Sequence, residues 1–176
     1  MGSLRCAVAT NMVGGFSPTV DDAVRLARAN DVLVALPNVF KPFLGAMRAA
    51  NPSLKVFAYL NGCFVDSSAA STFNSSWYLY DGLGRKVQSV QFGNVMMDTG
   101  NPSWVANRIV AASDCVLRSG YDGVMLDMMG PAPLEPGYLQ SLPVDPRTGQ
   151  VLTVDSLIVS NALLCSKVGE SCHFPV

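Results

Sequence analysis

The chain carries little charge. Only 14% of its 176 residues are charged, the formal net charge is -1, and 49% are hydrophobic. It has no basic run and no acidic tail, which argues against nucleic acid or an anionic membrane surface as partner. A disordered chain would hold more charge and fewer apolar residues. No apolar run approaches the roughly 20 residues of a membrane span. No signal peptide is visible, because "MGSLRCAVATNMVGG" offers one Arg and a short, interrupted apolar run. Histidine is limited to His173, near the end of the chain, which leaves a Cys–His nucleophile pair without a well-placed base. The five cysteines, Cys6, Cys63, Cys115, Cys165 and Cys172, form no CxxC pair. That spacing argues against a tetrahedral zinc site, and the odd count predicts buried, reduced thiols. No GxGxxG follows the first apolar run, where "NMVGGF" has only paired glycines, and no GxxxxGK[ST] occurs. Dinucleotide and P-loop chemistry therefore lack their phosphate cradles, and no cofactor or metal is expected.

What is present is an alternation of strands and helices. "LRCAVA", "DVLVALPN", "KVFAYLNG" and "YDGVMLD" are nearly continuous apolar runs, as strands buried on both faces require. "SPTVDDAVRLARAN" places Val20, Ala23, Val24 and Ala27 at helical spacing, with Pro18 in the first turn. "FKPFLGAMRAANPS" reads as a second helix. In "NPSWVANRIVAASDCVLRSG", Asn101 is a good N-cap and Gly120 a good stop. Thr153 caps a last helix near 154–168, with Leu157, Ile158, Leu164 and Val168 on its apolar face. Between the third strand and the third helix the rhythm breaks. "WYLYDGLGRKVQSVQF" predicts a β-hairpin turning at Asp81-Gly82 and Gly84, an insertion spanning 77–98. The fold class is therefore α/β: about four βα units of a (β/α)8 TIM-type barrel, with a hairpin inserted after strand 3. A full barrel takes about 250 residues, so residues 1–176 read as a single domain equal to its first half. A doubly wound open sheet shares the local pattern and is the alternative.

In both architectures chemistry gathers at the carboxyl ends of the strands. Those ends carry Asn11 after strand one, Asn38 after strand two, Tyr59, Asn61 and Asp66 at strand three, and Asp127 at strand four. Asp98 closes the inserted segment, and Trp77, Tyr78 and Tyr80 lie within it. Two carboxylates suit glycosidic cleavage, in which one acid protonates the leaving oxygen and the other serves as nucleophile or base. Aromatic faces suit the apolar faces of sugar rings. Each residue also has a plain structural reading. Asp127 can bond loop amides, Asp98 can make an Asx turn before Thr99-Gly100, and Asn61 can belong to a turn. Trp77 and Trp104 can be packing residues, and Asp122 lies at the opposite, stabilising face. No Lys or His stands at a strand end, which argues against an aldolase or isomerase.

The ordered set "NPSLKVFAYLNG", "WYLYDGLGRKV", "MMDTGNPSWVANRIV", "SGYDGVMLDMMG" and "PVDPRTGQVLTVDSLIVSNALL" resembles glycoside hydrolase-like family 15, (β/α)8 glycosidases unrelated to the glucoamylases. It is also similar to the wider group of barrels related to polygalactosaminidases. The resemblance covers roughly residues 20–168, and "GYDGVMLD" and "DTGNPSW" carry most of it. It implies a secreted or cell-surface enzyme acting on a polysaccharide or oligosaccharide. It implies a catalytic carboxylate at Asp127 and places Asp98 on the sugar-contacting rim; the acid is expected to be Asp98 or to lie outside this chain. Tyr59, Asn61, Trp77 and Asn11 are expected to contact sugar. The later half of such a barrel, which would supply a partner carboxylate, has no counterpart here. The expected alternative is a carbohydrate-binding or vestigial half-barrel without catalysis. A half-barrel also leaves open sheet edges, through which self-association is expected.

Overall fold

The computed structural model describes residues 4–9 and 17–172. Asn11 and His173 lie outside the described residues. Four strands form one parallel sheet: β1 (Cys6–Ala9), β2 (Val32–Ala35), β3 (Lys55–Asn61) and β6 (Gly123–Asp127), in the order β1-β2-β3-β6. Cys6 pairs with Val32, and Val32 with Lys55, so the first three strands start in step. A strand–helix alternation gives this order because each crossover returns the chain to the same end of the sheet.

Helix α1 (Val20–Ala29) starts two residues after Pro18, which lies before the N-cap rather than in the first turn. Thr19 is the N-cap, and its hydroxyl and the Asp22 carboxylate satisfy each other's backbone N–H groups. Ala23 and Ala27 form its buried face, but Val20, expected in that stripe, is 48% exposed. The second helical segment is broken into α2 (Pro37–Phe40), a 3-10 turn over Lys41–Phe43 and α3 (Leu44–Ala50). Pro42, which has no N–H to give, interrupts it. Pro37 does more than end a strand, because it occupies the first turn of α2.

Helix α4 (Pro102–Ser113) is capped by Asn101, whose Oδ1 accepts the Ser103 N–H at 2.9 Å. It widens into a π turn over Asp114–Arg118 and stops at Gly120, where φ is +81°. Helix α5 (Val154–Ser171) is capped by Thr153 and runs three residues past its predicted end. Leu157, Leu164 and Val168 are buried as expected, but Ile158 is exposed. Ser160 and Asn161 take the inward positions instead.

The chain between β3 and α4 contains an antiparallel pair, β4 (Phe64–Val65) with β5 (Val95–Met96). Bridges join Tyr80 to Lys86 and Gln88 to Val95, which is the inserted hairpin. Asp81 organises its turn by accepting the Leu83 and Arg85 N–H groups, both at 2.9 Å. β4 has no sequence signal of its own, being two residues inside a polar stretch.

The described residues cluster into two compact units. The first, Met1–Leu60 with Val110–Met125, is centred on Leu33, Phe40, Met47, Val56 and Ala58. In it Asp122 accepts the Val56 N–H at 2.9 Å and pairs with Arg48 at 3.1 Å. Burial works against its charge, but those partners hold its pKa below the usual carboxylate range. Asp122 thus ties elements together, as its place at the amino end of β6 suggests. The second unit, Asn61–Ile109 with Leu126–Val176, has two apolar clusters, one around Leu79, Met96 and Leu157 and one around Trp104. All five cysteines are free thiols. Cys63 and Cys115 are buried, but Cys6 and Cys165 are exposed, which corrects the expectation of general burial. No helix among the described residues is long and apolar enough to cross a membrane.

Candidate active site

Asp127 is the last residue of β6, at the carboxyl end of the parallel sheet. The next residue, Met128, has φ +63° and is the one non-glycine in the left-handed region among the described residues. That backbone costs an L-residue roughly 1–2 kcal/mol. Such strain persists only where surrounding contacts hold it, and functional sites are where it collects. Here the contacts are visible. The Gly62 N–H donates to the Asp127 carbonyl at 3.1 Å. The Gly62 carbonyl accepts the Trp104 Nε1–H at 2.9 Å. A Cβ on Gly62 would lie 2.2 Å from Met129 Sδ, so glycine leaves room for the Met129 side chain at the strand end.

The carboxylate of Asp127 belongs to a half-buried, largely apolar neighbourhood. Burial pushes the Cys63 thiol up to about 12, against a contact to Asn161 Oδ1 at 3.7 Å, and the Asp127 charge adds to the rise. Cys63 is thus an inert thiol. Burial also raises the Tyr138 phenol, and the Asp127 and Cys63 charges follow as smaller causes. Asn161 is 1% exposed, and its Nδ2 has no hydrogen-bond partner among the described residues.

Asp98 follows β5 and is 6% exposed. Its backbone N–H donates to the Trp77 carbonyl at 2.8 Å, and its Oδ1 accepts the Gly100 N–H at 3.0 Å. The Asx turn read from "DTGN" is therefore formed. Arg147 Nη2 reaches the same oxygen at 3.6 Å. The guanidinium also binds Asp145 at 2.7 Å through Nε and Ser160 Oγ at 3.3 Å through Nη1. A Cβ on Gly100 would lie 1.7 Å from Nη1, so glycine makes room for this arm. A surface cavity of about 350 Å³ lies beside it, lined by Asp145, Arg147, Ser156 and Ser160 among others. Sequence reasoning passed over Asp145 and Arg147. Their signal was "VDPRTGQ", a proline-containing turn in which Asp145 accepts the Arg147 N–H at 2.9 Å.

Burial raises the Asp98 pKa; the Gly100 N–H and Arg147 oppose this, and Asp145 adds to it. A raised folded-state pKa means that stability is full below the unfolded value and falls as pH rises through the folded one. Asp98→Asn keeps the turn and removes the ionisation. The variant should gain stability relative to wild type as pH rises from 3 to 7, and the two should converge at the acid end. Urea titrations at several pH values test this; a constant gap would mean that burial does not raise the Asp98 pKa.

The other predicted site residues divide. Asn61 lies beside Asp127 through Gly62, but its Oδ1 accepts the Cys63 and Phe64 N–H groups at 3.0 and 2.8 Å. Its side chain therefore builds the turn after β3. Trp77 is half-buried beside Asp98, with Phe73 and Trp104 rings each 6.2 Å away. Tyr59 is buried in β3 and belongs to the other compact unit. Asp66 is exposed and bonds Ser68.

No family model and no curated protein matches the chain. Solved structures do. A variant of the glycoside hydrolase domain of PelA from Pseudomonas aeruginosa is similar at TM-score 0.64 and 16% identity, over 95% of this chain and 55% of that one. Ega3 from Aspergillus fumigatus, in complex with galactosamine, gives TM-score 0.61 and 11% identity, over 96% and 57%. An alpha-galactosidase from Thermus thermophilus, in complex with stachyose, gives TM-score 0.61 and 16% identity, over 98% and 39%. These neighbours are barrel-type glycoside hydrolases, and the chain spans about half the length of the first of them. At such identities the likeness is one of fold.

Proposed function

We propose that the chain is a glycoside hydrolase, or part of one, acting on a polysaccharide or oligosaccharide. Asp127 is the nucleophile or charge stabiliser at the anomeric carbon, and Asp98 is the candidate acid. The observation that carries the reading is the carboxylate at a parallel strand end with a strained Met128 behind it. The raised pKa of Asp98 suits a proton donor. Trp77 is proposed as a sugar platform beside Asp98, and Asn61, Tyr59 and Asn11 are proposed as sugar contacts from their sequence positions alone. Membership of glycoside hydrolase-like family 15, one barrel-type domain and an extracellular or surface setting belong to the same proposal. The test is release of reducing ends from a panel of polysaccharides by wild type and Asp127→Asn.

One observation favours a second reading, carbohydrate binding without cleavage. The Asp98 carboxylate is engaged by Gly100 and Arg147, which can serve structure alone. Binding of glycans without turnover by either protein, lost in Trp77→Ala, would select it. Self-association through the edge strands β1 and β6 is also proposed. Light scattering should then give a mass above that of one chain at micromolar concentration; the mass of one chain throughout overturns it.

A further inference from the structure

Among the groups that meet Asp98, Arg147 has a place fixed independently of the carboxylate. Its guanidinium is held by two other residues. Nε donates to Asp145 Oδ1 at 2.7 Å, within the same turn. Nη1 donates to Ser160 Oγ, on α5, at 3.3 Å. That hydroxyl gives its own proton to the Ser156 carbonyl at 3.0 Å, so its oxygen is held as an acceptor for the arginine. Nη2 faces Asp98 Oδ1 at 3.6 Å, an ion-pair distance too long for a direct hydrogen bond. Gly100 completes the seat. Its N–H donates to the same Oδ1 at 3.0 Å. Its missing side chain leaves the space that Nη1 occupies, 1.7 Å from where a Cβ would stand. A backbone donor and a cation thus meet on one oxygen of the carboxylate, Oδ1.

We infer that Arg147 is a positioning residue for Asp98: seated by Asp145, Ser160 and the bare Gly100, it keeps Oδ1 free of the proton and makes Oδ2 the oxygen that carries it and gives it up. This inference rests on the proposed role of Asp98 as the acid. A proton on Oδ1 would share that oxygen with the Gly100 N–H and point toward a cation. A proton on Oδ2 avoids both. A guanidinium suits the task better than an ammonium, because its rigid fork serves Asp145, Ser160 and Asp98 at once. The charged groups acting on Asp98 among the described residues are Arg147 and Asp145. Asp155, in the first turn of α5, lines the same cavity as Arg147. Burial favours the protonated carboxyl, while the Gly100 N–H and Arg147 favour the carboxylate. The same guanidinium that selects the oxygen therefore also limits how firmly the proton is kept.

The experiment uses the whole chain labelled with ¹³C at aspartate Cγ, the Asp98 resonance being assigned by its loss in Asp98→Asn. Two variants take the cation from Oδ1 by different routes. Arg147→Gln deletes the charge, and the turn survives because Asp145 accepts the backbone N–H of residue 147 at 2.9 Å. Gly100→Ala keeps the charge but puts a methyl where Nη1 lies, and the displaced atom is the end of a flexible side chain. In both, the Asp98 resonance should titrate about 1 pH unit higher than in wild type, the low end for a carboxylate that loses a neighbouring cation. The double variant should add nothing to either single one, since both remove the same contact. Arg147→Lys, which keeps the charge but not the fork, should shift the titration less than Arg147→Gln. An unmoved titration in Arg147→Gln, a shift there with none in Gly100→Ala, or full additivity in the double variant overturns the inference. These readouts need no turnover. On a polysaccharide that wild type cleaves, the alkaline limb of kcat should move up by the same amount in Arg147→Gln, with KM little changed. Lost stability with titration and limb both unmoved would make Arg147 a structural tie and overturn its positioning role. A shifted titration with an unmoved limb supports the seat of Arg147 on Oδ1 and removes Asp98 as the acid, so the two readings fail separately.

Discussion

If Asp127 has the proposed catalytic role, Asp127→Asn should lower kcat for glycan cleavage by on the order of 10⁴-fold and leave the chain folded, the size of loss seen when a group acting within a catalytic set is deleted. The substitution is nearly isosteric. The Asp127 main chain keeps its bond from Gly62, because that bond uses the backbone carbonyl and not the carboxylate. β6 therefore retains its end, and Met128 retains its left-handed backbone. What disappears is the charge. An amide neither attacks an anomeric carbon nor stabilises the positive charge that develops on it. Binding should survive, since a neutral polar group of the same shape still fills the position. The signature is thus a fall in kcat with glycan affinity within a few-fold of wild type. Activity within tenfold of wild type would remove Asp127 from the chemistry and leave it a strand-end acid.

The order of strands and helices was legible because each rests on local chemistry. The continuous apolar runs of β2, β3 and β6 have no other economical fate than a sheet covered on both faces. Asn101, Thr153 and Gly120 mark helix ends through bonds made within a few residues. Asp127 was legible for a related reason, since a strand end follows from where the apolar run stops. What escaped depended on distant partners. Asn161 sits on the buried face of α5 in place of the exposed Ile158, and its partner is Cys63, 98 residues earlier. A periodicity count prefers the aliphatic residue and cannot see that contact. Arg147 and Asp145 form one local turn, but their meeting with Asp98 spans about fifty residues of chain. Tyr138 was hidden inside a loop whose prolines suggested stiffness but not the contact of its hydroxyl with Met128 Sδ at 3.7 Å. Asn61 shows the converse. Its residue type and strand-end position fit a sugar contact, yet its acceptor atom is used by the next turn.

Trp104→Ala should cost about 3–5 kcal/mol, the usual loss for deleting a fully buried large aromatic. Trp104 is 0% exposed and packs edge-on against Phe73 at 5.9 Å. The Arg108 guanidinium lies 4.2 Å over its ring. Since a domain holds only about 5–15 kcal/mol in total, this loss takes a large share of the stability of the unit built from Asn61–Ile109 and Leu126–Val176. Trp104→Phe separates packing from bonding. It keeps most of the ring but leaves the Gly62 carbonyl without the Nε1–H, an expected loss of about 1–2 kcal/mol. Trp77 is then the remaining tryptophan and reports unfolding by its own fluorescence. Equal destabilisation by Phe and Ala would mean that the hydrogen bond outweighs the packing; a cost below about 1 kcal/mol for Ala would contradict full burial. The effect also reaches the proposed chemistry. Gly62 accepts from Trp104 and donates to Asp127, so this one residue links the aromatic cluster to the strand end. Trp104→Phe should therefore lose activity at temperatures where it is still folded, with kcat falling more than KM rises. That split separates a strand end held slightly out of place from a protein that has simply begun to unfold.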